Sequence, residues 1–70
     1  MPDRQAQQYR VVRETTDNDQ QGTWVMAESP QAAVSIARII ARREQWAGTA
    51  RNWIAHQDTR QWHPVHSEPD

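Results

Sequence analysis

Seventy residues make one domain at most, and a chain this short buries only roughly 60% of the surface its unfolded state exposes. A formal net charge of −1 argues against a bulk polyanion binder. The lack of cysteine excludes disulfide staples, thiolate nucleophiles and thiolate metal ligands.

No stretch is apolar for long enough to span a membrane, and the first residues, "MPDRQAQQ", do not read as a signal peptide. The expectation is a cytoplasmic protein with no membrane partner, which a small domain without staples also suits. There is no Lys, Leu or Phe; all eight basic residues are Arg, and four Trp are present. Arg offers a planar fork of donors that fits carboxylates and phosphates, and Arg and Trp are enriched at interface hot spots. A genomic bias toward Arg explains the missing Lys equally well.

Met1 to Gln7 and Ser67 to Asp70 are polar, carry Pro and read as frayed ends around a single domain spanning 8–66. "QYRVVRET", Gln8 to Thr15, is rich in β-formers and reads as a strand. "TDNDQQG", Thr16 to Gly22, is a turn cluster, and "TWVMAE", Thr23 to Glu28, a second strand that closes an antiparallel hairpin. Ser29 suits an N-cap and Pro30 the first helical position, where its missing N–H costs nothing. At about 100° per residue Ala32, Ala33, Ile36, Ala37, Ile39 and Ile40 share one broad face, with Gln31, Ser35, Arg38, Arg42 and Gln45 on the opposite arc. The helix is expected to run to about Trp46, with Gly48 as its terminator. "TARNWIAHQ", Thr49 to Gln57, reads as a third strand, "DTR" as a turn, and "QWHPVH", Gln61 to His66, as a fourth strand at an edge because of Pro64.

The order β-β-α-β-β predicts an α+β fold, an antiparallel sheet of about four strands with one helix packed on one face. Alternation puts Trp24 and Met26 opposite Val25 and Ala27, and Trp53 and Ala55 opposite Ile54. Both sheet faces therefore carry apolar bulk, and the uncovered face, with Trp24, Trp53 and Trp62 as its candidate aromatics, is a candidate interface.

The catalytic inventory is thin. Of the serines, Ser29 is better explained as a cap and Ser67 as tail, and no strand-turn-helix elbow presents Ser35 or any other nucleophile. Asp17, Asp19, Glu28, Glu44 and Asp58 are scattered, not paired for acid–base work. His63 and His66 point to opposite faces of a strand, and His56 with His63 would leave a metal short of ligands. Gly22 and Gly48 stand alone, so no glycine-rich phosphate loop exists. The expectation is a protein without enzymatic activity, metal or cofactor.

Arginines on the helix are the strongest remaining signal. Arg38 and Arg42 are four apart and stack on one side, Arg43 is adjacent, and Arg51 and Arg60 are expected near the same end. A solvated polar face accounts for the pattern as well as does a forked-donor patch that grips carboxylates or a phosphate backbone.

The stretch "GTWVMAESPQAAVSIA", with the spacing of Ser29, Ala33, Ile36 and Ala37, resembles small phage-encoded anti-CRISPR proteins of the ninth family directed against type I-F systems. So do "REQWAGT" and "WIAHQDTRQW"; together the resemblance covers about Tyr9 to Val65. It implies a non-enzymatic inhibitor, encoded by a phage or mobile element, that binds a type I CRISPR surveillance complex and blocks target DNA binding or effector recruitment. The positions it carries over as partner-binding are Arg43 and Gln45; Arg38 and Arg42 join them from the helical wheel alone. The alternatives are a small homodimeric interaction module pairing through the Trp-bearing sheet face, and a weak nucleic-acid binder. Near-neutral charge disfavours nucleic acid as the direct target.

Overall fold

A computed structural model describes residues 5–58 and 61–70. The elements run β1 (Gln7–Thr15), β2 (Gln20–Ala27), α1 (Pro30–Arg43), β3 (Ala50–Asp58) and β4 (Trp62–Pro69). The strands form one antiparallel sheet in the order β2-β1-β3-β4, with β1 and β3 at its centre. The α+β architecture expected from the sequence is the one observed.

Period-two alternation divides the sheet. Tyr9, Val11, Arg13 and Thr15 of β1, Val25 and Ala27 of β2, and Trp53 and Ala55 of β3 are buried beneath α1. Arg10, Val12, Trp24, Met26, Ile54 and His56 alternate with them and belong to the uncovered face. The hairpin between β1 and β2 is tighter than its seven-residue turn cluster suggests, because β2 begins at Gln20. Asn18 takes a left-handed φ of 66°, which Asn tolerates, and the Thr15 N–H donates to the Asp19 carbonyl at 2.9 Å.

Ser29 caps α1 as its sequence predicts, its hydroxyl accepting the Ala32 N–H at 3.1 Å. The other end differs. The helix stops at Arg43, and Gln45, with φ of 55°, takes the left-handed position expected of Gly48. Trp46 N–H donates to Ala41 O at 3.0 Å and Gln45 N–H to Arg42 O at 3.3 Å, the bonding pattern of a Schellman cap. Gly48, with φ of 88°, serves the following turn instead, where a Cβ would meet Thr15 at 3.1 Å.

The buried stripe of α1 is Ala33, Val34 and Ala37, flanked by partly buried Ala32, Ile40 and Ala41. The broad face expected from the wheel omitted Val34 and included Ile36 and Ile39, which are exposed. Small residues at the centre of the stripe bring the helix close to the sheet and leave these larger side chains at its margin. A second correction concerns the C-terminus. Ser67 to Pro69, expected in the tail, belong to β4, pairing Ser67 with Ile54, Glu68 with Trp53 and Pro69 with Asn52. The turn expected at Asp58–Arg60 falls partly, and the N-terminal residues 1–4 wholly, outside the described residues.

Candidate functional site

The arginines of α1 divide into two groups. Arg38 is tied to the end of β4: it donates to Glu68 Oε2 at 2.8 Å, to Asp70 Oδ1 at 2.7 Å and to the Pro69 carbonyl at 3.3 Å. Its guanidinium also lies 5.2 Å from the Trp53 ring centre. Those donors clamp the helix to the last strand, so Arg38 does not offer the open fork expected of it. Hydrogen bonds from His66, then from Arg38, hold the Glu68 carboxyl below the usual carboxylate range. The His66 Nε2 is 2.7 Å from Glu68 Oε1.

Arg42 and Arg43 fill the exposed last turn of α1 and form no ion pair among the described residues. The helix dipole favours cations there. Gln45 follows, exposed, on its left-handed backbone. Arg42 and Gln45 border a shallow recess of about 290 Å³ whose wall includes Trp46 and Asp70 and whose base includes Arg13 and Trp53. Arg51 is elsewhere, 3.8 Å from Glu14 and 3.4 Å from Asn18 Oδ1 beside the β1–β2 turn. Arg60 lies outside the described residues.

Arg13 was not singled out by sequence. It is only 6% exposed, although among the described residues this cation has no carboxylate partner. Its donors go to Gln21 Oε1 at 2.6 Å, the Ala47 carbonyl at 3.1 Å and the Gly48 carbonyl at 2.5 Å. Main-chain carbonyls just beyond the negative end of the helix thus satisfy the charge. The one sequence signal was its place in the alternation, on the same face as Tyr9 and Val11.

The tryptophans also separate. Trp24 and Trp62, from opposite edges of the sheet, meet over the uncovered face with ring centres 4.9 Å apart, edge to face. Arg10 stands 5.4 Å from the Trp24 ring centre. Beside them Arg10, Val12, Gln20, Ile54, His56 and Trp62 line a recess of about 340 Å³. Trp53 is corrected: at 2% exposure it is core, under the helix, because its strand phase matches Ala55 and not Ile54. Its indole N–H donates to Asp70 Oδ1 at 2.8 Å.

The histidines are not register partners of one another. His56 lies opposite Pro64, His63 opposite Gln57 and His66 opposite Ala55, so no two pair across the strands. Among the described residues no group of three or more His, Asp or Glu side chains could hold a metal ion.

No protein-family model, curated protein or solved structure matches this chain.

Proposed function

We propose that the protein acts by binding, as an anti-CRISPR-like inhibitor, with the C-terminal end of α1 as its working surface. The observation that carries this reading is the exposed pair Arg42 and Arg43, without ion partners among the described residues, beside Gln45 on a left-handed backbone. A glycine would hold that backbone with less strain, so a long amide side chain there costs stability that packing does not return. Guanidinium forks next to a shallow recess suit carboxylates on a protein surface, or the phosphate path that target DNA would occupy. The resemblance supplies the target: a type I CRISPR surveillance complex, blocked by steric and electrostatic occlusion.

Arg38 drops out as a primary contact in this reading, since Glu68 and Asp70 already occupy its donors. The test is capture of type I surveillance complexes by the purified chain. Native protein is expected to retain a complex, and the double change Arg42→Ala with Arg43→Ala to weaken it by roughly a hundredfold, as for two charge-assisted contacts. Thermal stability should be unchanged by the double change, since both side chains are exposed. Failure to bind complexes of every type I subtype, or full binding by the double variant, sinks the reading.

A further inference from the structure

We propose that the free edge of β2 and the adjoining flank of α1 form the interface of a homodimer, two copies pairing β2 with β2 antiparallel across a twofold axis. The sheet has two edges, and they are built differently. β4 carries Pro64, Glu68 and Pro69, and its register with β3 breaks between Ala55 and His56. Proline, charge and bulges are the devices that stop an edge from recruiting another strand. β2, "QQGTWVMA", has none of them: no proline, no charged side chain, and an unbroken register with β1 from Gln20 to Ala27. Among the described residues nothing pairs with its outer edge, which presents a row of main-chain donors and acceptors.

Exposed apolar surface of α1 adjoins that edge. Arg38 reaches β4, which fixes which flank of α1 faces that edge. Ile36 is about 160° around the helix from Arg38, so its flank faces β2. Ile36 is 36% exposed, and Ile39, 55% exposed, follows it on the outer arc; Met26 of β2, on the opposite face of the sheet, takes no part. The interface thus combines an open strand edge with an apolar margin beside it.

The occupant is a second copy because the surface complements itself. A twofold axis brings each patch against its own image, and a strand without charges meets its image without like-charge contact. The helix is signed at its ends: Glu28 precedes it, and Arg43, about 140° from Arg38 and so on the β2 flank, closes it. Antiparallel copies bring the Glu28 end of one toward the Arg43 end of the other. The arrangement leaves the Trp24–Trp62 pair uncovered, and so differs from a dimer through the sheet face. It shares Arg43 with the surface proposed to meet the CRISPR complex, but it rests on the strand edge and is tested at Ile36, outside that surface.

Sedimentation of the native chain over a concentration series tests it, alongside hydrogen exchange of the β2 amides. A monomer–dimer equilibrium is expected, with β2 amides gaining protection as concentration rises and β4 amides unchanged. Ile36→Glu places a charge in the interface twice per dimer, and should raise the dissociation constant by roughly a hundredfold. Val65→Glu on β4 should leave the constant unaltered, and circular dichroism should find both variants folded, as both sites are exposed. A chain that stays monomeric, or a dimer indifferent to Ile36→Glu with β2 exchange independent of concentration, overturns the proposal.

Discussion

Each face of the sheet sets an arginine near a tryptophan, and the two pairs live in different surroundings. Under the helix, Arg13 lies 6.0 Å from the Trp53 ring centre, both buried, with every guanidinium contact going to a fixed amide or carbonyl acceptor. On the uncovered face, Arg10 lies 5.4 Å from Trp24, which is 49% exposed and leans on Trp62. The same two residue types thus serve as core on one side and as surface on the other. What separates them is strand phase: Arg13 and Trp53 share the alternation of Val11 and Ala55, while Arg10 and Trp24 share that of Val12 and Met26.

Truncating the two tryptophans should break the comparison most sharply. Trp53→Ala removes the largest aromatic of the core and its bond to Asp70, and is expected to cost on the order of 4 kcal/mol. In a domain whose whole margin is about 5–15 kcal/mol, that leaves little cooperative unfolding to observe. Trp24→Ala loses half-exposed area and one aromatic contact, on the order of 1 kcal/mol. Denaturant midpoints of the two variants measure the difference; equal losses would mean that the uncovered face is as much a core as the covered one.

The arginines give a smaller contrast of the same kind. Arg13→Ala leaves the Ala47 and Gly48 carbonyls without their donor and opens space under the end of α1, at a cost of about 2–3 kcal/mol. Arg10→Ala gives up an exposed cation–π contact worth about 0.5–1 kcal/mol. Chemical unfolding of both variants checks the order. An Arg13→Ala variant as stable as Arg10→Ala would show that water readily replaces the buried guanidinium.

Much of this arrangement was legible in the chain. Ser29–Pro30 announced the helix, the turn cluster at Asp17–Asp19 the hairpin, and alternation the two faces of β2 and β3. What escaped had tertiary causes. "YRVVRE" alternates ambiguously, because Val11 and Val12 are both good strand formers, so the phase Arg13 shares with Tyr9 and Val11 did not stand out as inward. The helix wheel weighted isoleucines as core, whereas close approach to a four-stranded sheet favours Ala33, Val34 and Ala37 at the centre. Gln45 rather than Gly48 ends the helix, against intrinsic preference. Of the candidate binding residues, Arg42, Arg43 and Gln45 lie together at one helix end, while Arg38 is drawn away by acids that read as part of a polar tail.

Those acids also define the rim of the covered face, and pH tests how firmly they close it. The folded-state pKa of Glu68 is lowered by its hydrogen bonds from His66 and then from Arg38. A lowered value means that protons bind the unfolded chain more readily than the folded one. The contribution is therefore complete above the ordinary glutamate range, and it is lost as pH falls through that range and below it. A side chain one-third exposed keeps the effect small, under about 1 kcal/mol. Glu68→Gln should lower the melting temperature slightly at neutral pH, and the gap from the native chain should close on acidification. A gap that persists in acid would place the value of Glu68 in its packing against the helix rim, and would leave Asp70, 2.7 Å from the Arg38 guanidinium, as the anion that holds α1 to β4.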